Sequence, residues 1–237
     1  MLNPMHLTKT LLFISFAAVA LSVAAQDTMR VDNLPMYGQP DVERPEHLKE
    51  LDGHFIANAV KTFGSREKAS REWYAQGEKF MRENNADFAM RRYNQSWLLD
   101  PNNYQPYWGF GRVLLNRKDC DGAIKQFARA RELVNNEPGK SALQSDSGIA
   151  YGYCATITPP WQPETRKKYY ENANRLFAES TRLSPSFGVA WYRWSQVLLQ
   201  QGRAKEAMDK ARKAEAAGYP VPADHLERLQ QRLAGTQ

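Results

Sequence analysis

Residues able to do acid–base or metal chemistry are sparse in this chain. Beyond the first 25 residues the histidines are His47, His54 and His225, and no His-Glu-x-x-His, Gly-x-Ser-x-Gly or phosphate-binding loop occurs. His47 and His54 can share a helix face near Asp52, where an ordinary helix surface is a better reading than a two-histidine metal site. The acidic residues show no diagnostic pairing, and Cys120 and Cys154 do not form a Cys-x-x-Cys redox motif. No catalytic residue, metal or cofactor is therefore expected. What does recur is aromatic: Trp73-Tyr74, Tyr107-Trp108 and Trp191-Tyr192. Such rings supply apolar contact area at little rotamer cost, which is the chemistry of recognition.

Composition favours helices to position them. The chain is rich in Ala, Arg, Gln, Glu and Leu and poor in Val and Ile, a mixture that disfavours sheets. At its start, Lys9 precedes the apolar run Leu11 to Ala20 and the small-residue stretch Ser22-Val23-Ala24-Ala25, the anatomy of a secretory signal peptide. Residues 1–25 are read as that signal, with the mature chain beginning at Gln26 and periplasmic, or alternatively secreted. No later segment is long and apolar enough to span a membrane. The net charge of +6 over the whole chain is spread through helices without a long basic run, and with export it argues against nucleic acid as a partner.

The first two aromatic dipeptides share a common setting. Trp73, Gly77, Phe80, Ala89, Tyr93 and Ser96 match Tyr107, Gly111, Leu114, Ala123, Phe127 and Ala130 position for position. One helical hairpin cannot bury its own apolar stripe and must stack on the next, with small residues where backbones cross. Gly77 and Gly111 are the expected crossings in first helices, and Ala89, Ala123 and Ala207 in second helices.

This pattern of bulky residue, Gly four later, aromatic three beyond, then small, aromatic and small before Pro101 resembles the tetratricopeptide repeat. The resemblance implies an all-α fold: a right-handed superhelical solenoid of antiparallel hairpins with terminal capping helices. Four units are expected over 70–219. The third has its first helix near Ser141 to Tyr153 and a Pro-rich insertion at about 155–167, around Pro159-Pro160-Trp161-Gln162-Pro163, that cannot continue a helix. The flanks are read as an extended leader at 26–45, a capping helix and turn at 46–69 carrying Leu48, Leu51, Phe55, Ala59 and Phe63, and a C-terminal capping helix at 220–237.

In such a superhelix the first helix of each unit lines the concave side. The inward positions implied are Arg71, Tyr74, Glu78, Trp108, Arg112, Leu115, Tyr192, Gln196 and Leu199, with packing against the next hairpin as the rival role for each aromatic. Family members that clamp a C-terminal carboxylate carry Lys and Asn at several such positions, and Tyr74, Glu78, Trp108 and Arg112 depart from that pattern. Cys120 and Cys154 fall on neighbouring antiparallel helices at one edge, as a disulfide or as two buried thiols. The expected function is an adaptor or scaffold that binds a protein or peptide in the groove. The alternatives are an immunity or inhibitor protein against a periplasm-acting toxin, and an envelope glycan binder that stacks sugars on the groove aromatics.

Overall fold

The computed structural model describes residues 30–235, so the expected signal at 1–25 lies outside the described residues. Ten α-helices and no strand occur among them, and they form a helical solenoid. A lone helix, α1 (Glu46–Phe63), precedes four antiparallel hairpins. These are α2 (Arg66–Arg82) with α3 (Ala86–Leu99), α4 (Tyr104–Asn116) with α5 (Cys120–Leu133), α6 (Glu137–Ile157) with α7 (Pro163–Leu183), and α8 (Gly188–Gln200) with α9 (Ala204–Ala216). A last helix, α10 (Ala223–Ala234), closes the stack.

Local chemistry starts and stops these helices. The side chains of Ser65, Asn85, Asn103, Asp119 and Asn136 each accept a backbone N–H of the first turn that follows, and Gly64 ends α1 in the left-handed region at φ 84°. Three hairpins turn through one left-handed residue at the same place: Asn84, Lys118 and Gly202.

The repeat pattern is the packing pattern. A Cβ on Gly111 would meet the Phe127 ring at 3.0 Å, one on Gly148 would meet Phe177 at 2.9 Å, and Tyr93 fills the space a Cβ on Gly77 would need. The first helices of the first three hairpins thus lean on an aromatic of their own second helix, and Ala89, Ala123, Ala173 and Ala207 are fully buried on the opposing side. Two serine pairs bond reciprocally across the hairpins. Ser70 Oγ donates to Ser96 O at 2.8 Å while Ser96 Oγ donates to Ser70 O at 2.7 Å, and Ser141 and Ser180 repeat the arrangement at 3.1 and 2.8 Å.

Two expectations are corrected. The Pro-rich insertion is not a long loop, since α6 runs on to Ile157 and α7 already begins at Pro163. Proline is tolerated in a first turn, where its missing N–H has no partner to lose, so the extra residues lengthen both helices to 21 and leave only a bend between. The leader is not extended in its described part either. Residues 31–38 form two short 3-10 turns folded against α3. The fully buried Asn94 ties them down: its Nδ2 donates to Asp32 O at 3.0 Å and Leu34 O at 2.8 Å, and its Oδ1 accepts from Tyr37 N at 3.2 Å. Arg44 lies 3.9 Å from the Tyr37 ring centre and pairs with Asp52 of α1.

At the ends, Ala59 with Phe55, Ile56 and Phe63 covers Trp73, Ala69 and Leu99, whereas Leu51 stays 60% exposed on the outer side of the cap. Leu229 and His225 of α10 are buried at the other end of the stack. Cys120 and Cys154 form a disulfide with Cα atoms 5.9 Å apart, joining the start of α5 to the end of α6. Among the described residues no helix is long and apolar enough to cross a membrane.

Candidate binding groove

The first helices α2, α4, α6 and α8 form one wall, on which charged groups recur at matching phase in neighbouring units. Glu78 of α2 and Arg112 of α4, 34 residues apart, bond through Arg112 Nη1 at 2.7 Å to both carboxylate oxygens. Asp146 of α6 and Arg193 of α8, 47 residues apart because the third hairpin is longer, pair in the same way. Trp108 of α4 links the two pairs by donating its indole N–H to Asp146 Oδ2 at 2.8 Å. Arg193 also reaches Ser145 Oγ at 3.2 Å. Two ion pairs of the same polarity thus cross the wall, and the Trp108–Asp146 bond holds α4 to α6 between them.

Aromatic rings fill the spaces beneath and between these charges. The Tyr93 hydroxyl donates to Glu78 Oε1 at 2.6 Å, and Tyr74 lies against the Tyr93 ring at 5.5 Å between centroids. Burial, then the neighbouring Glu78 carboxylate, push both phenols well above the usual tyrosine range, so each stays protonated at any physiological pH. Burial alone would lower Arg112, but the adjacent Glu78 carboxylate outweighs it and keeps the guanidinium charged. Both ion pairs are partly exposed, so a chain segment lying on the wall meets fixed charges that need no reorganisation.

The expected groove residues separate into groups. Glu78, Trp108 and Arg112 carry these bonds and Tyr74 packs on the Tyr93 ring beside them, while Arg71 is exposed nearer the start of α2. Leu115 packs against the central core. Tyr192, Gln196 and Leu199 form a second cluster facing α10. There Tyr192 stacks on Tyr219 at 5.2 Å, Gln196 Nε2 donates to the Tyr192 hydroxyl at 2.9 Å, and Leu199 joins Gln196, His225 and Arg228 around a cleft of about 630 Å³. Asp146 and Arg193 were not among the expected residues. The signal for them was opposite charge at matching phase, hidden because the lengthened third hairpin separates them by 47 residues instead of 34.

Tyr74, Trp108 and Tyr192 do not form a row of exposed coplanar rings. Tyr74 is packed on Tyr93, Trp108 is stacked on Tyr104 at 6.3 Å, and Tyr192 is covered by Tyr219. Sugar stacking along the groove loses its geometric basis.

One Ser–His contact invites a catalytic reading and fails it. Ser195 Oγ lies 2.8 Å from His225 Nε2, but the serine proton is committed to Ala207 O at 2.7 Å, so the imidazole must donate to the serine. A histidine that donates to a hydroxyl cannot take its proton. Both residues are fully buried. The described residues also hold no group of three or more His, Cys, Asp or Glu placed to bind a metal.

No protein-family model matches this chain, and no curated protein matches it. Among solved structures it is similar to the crystal structure of MamA, with 15% identity over 75% of this chain and 96% of that one at a TM-score of 0.48. It is also similar to PilW, a widely conserved type IV pilus biogenesis factor, with 14% identity over 70% of this chain and 87% of that one at a TM-score of 0.37. YrrB, a TPR protein with an unusual peptide-binding site, shares 15% identity over 75% of this chain and 97% of that one at a TM-score of 0.31.

Proposed function

We propose that this chain is an exported protein-interaction module that holds an extended segment of a partner protein against the wall formed by α2, α4, α6 and α8. The observation that carries the reading is the set of two cross-helix ion pairs, Glu78 with Arg112 and Asp146 with Arg193, with the Trp108–Asp146 bond between α4 and α6. It presents both signs of charge and partly exposed rings at fixed places along one continuous surface. A segment with side chains of complementary charge and a backbone free to bond suits that surface, and its rigidity lowers the ordering cost of binding. The Cys120–Cys154 disulfide supports the periplasm as the compartment, since such bridges persist where thiols are not kept reduced.

The test is capture from envelope extract by wild type beside two variants. Glu78→Arg with Arg112→Glu reverses the polarity of one pair while leaving an ion pair possible. Arg71→Glu changes an exposed charge that touches no core residue. A partner that wild type retains and the swap loses, at unchanged helicity, supports the reading. Equal retention by wild type and both variants sinks it.

A further inference from the structure

We propose that the tip of the α6–α7 hairpin is a docking point for an anionic lipid surface. This hairpin is longer than its neighbours, so its end stands beyond the α4–α5 and α8–α9 turns beside it. On that end Trp161 is 79% exposed and Ile157 42% exposed. Among the described residues nothing partners the Trp161 ring or its indole N–H.

The tip is held, not loose. Thr158 Oγ1 donates to Cys154 O at 2.7 Å, Arg166 Nη2 donates to Thr158 O at 2.7 Å, and Gln162 N donates to Pro159 O at 3.0 Å. Cys154 is itself bridged to Cys120 of α5. The cleft of about 800 Å³ behind this tip, lined by Thr156, Pro163, Arg166 and Lys167 among others, does not include Trp161 or Ile157, so the two apolar side chains project outside it. Inserting into a soft phase asks for no matching pocket, and the indole is the side chain best suited to the depth where headgroups meet acyl chains.

The charges are spaced for the same surface. Lys167 and Lys168, both exposed and without an ion pair among the described residues, follow Pro163 by four and five residues. At 1.5 Å per residue they stand about 6–8 Å behind the start of α7. The headgroup layer is about 5–8 Å deep on each side of a bilayer, so an indole at the acyl boundary leaves both ammonium groups among the phosphates. Glu164, exposed on the first turn of α7, opposes them and keeps the attraction modest.

Tryptophan fluorescence of the full chain with vesicles of three parts phosphatidylglycerol to seven parts acyl-brominated phosphatidylcholine tests this. Bromine quenches only rings within the bilayer. Residues 1–29 contain no tryptophan, and the other five are partly buried in the stack, so the signal reads Trp161. Quenching is expected in wild type and absent in Trp161→Phe. Ile157→Ser, which keeps the reporter, should weaken partitioning several-fold. Lys167→Glu with Lys168→Glu should weaken it at least about tenfold, and Glu164→Gln should strengthen it roughly fivefold. No quenching, quenching that survives Trp161→Phe, or equal quenching with uncharged lipid overturns the proposal. So does a Trp161-dependent protein partner in the absence of any vesicle binding.

Discussion

Asn94 ties the N-terminal segment to the stack through three hydrogen bonds to its main chain. Asn94→Ala strands the Asp32 carbonyl and leaves the Tyr37 amide and the Leu34 carbonyl only their 3.2 Å bond to each other, and should cost about 1–3 kcal/mol in urea unfolding, with faster hydrogen exchange at the Tyr37 amide. Exchange that stays slow would mean the segment holds by its apolar contacts alone. His225 makes a second residue-scale prediction. Burial, then the nearby Arg228, lower it from the usual value of 6.5, with Asp224 opposing. The folded His225 therefore refuses a proton that the unfolded chain accepts below about 6.5. Stability should fall as pH drops through 6.5 and level off only below the depressed folded value. His225→Gln should remove that part of the slope in urea melts at pH 7.5, 6 and 5, and an unchanged slope would assign it elsewhere. Neither role was legible in sequence, because Asn94 and His225 carry no local pattern and their partners lie on other elements. Glu78 and Arg112 were legible because the 34-residue period aligns them.

The elements were easier to read than their partners. The repeat pattern located α2 to α5, α8 and α9, and apolar periodicity located α1 and α10. The third hairpin was misread because a proline cluster usually marks a loop. Here Pro163 is the first residue of α7, where proline is compatible with a helix, and Pro159-Pro160 occupy the short bend before it. The disulfide connects this hairpin to its neighbour over a sequence separation of 34. On the chain-entropy account, Cys120→Ser with Cys154→Ser should lower stability by about 3–4 kcal/mol. The loss should also concentrate locally, with faster exchange at the end of α6 and the start of α7 than at α2–α3. Uniform loosening along the stack would show that the bridge does not act on this hairpin in particular.

At the scale of the whole molecule, the described residues are four hairpins and two caps with a continuous inner wall, and the charges on that wall are bonded across helices distant in sequence. Crossing residues set the shape: Gly77, Gly111 and Gly148 let the first helices of three hairpins sit on the aromatic of their second. The solenoid itself was legible, because its period repeats in residues of matching size. The surface chemistry was legible only in part, because it depends on how the enlarged third hairpin shifts phase. The proposed function rests on the wall and not on the fold, since one fold hosts many functions. The most direct measurement is hydrogen exchange of the captured complex against the free protein. Protection along α2, α4, α6 and α8, centred on Glu78, Trp108, Arg112 and Asp146, is the predicted footprint. Protection confined to α3, α5, α7 and α9, with the inner wall unchanged, would contradict it.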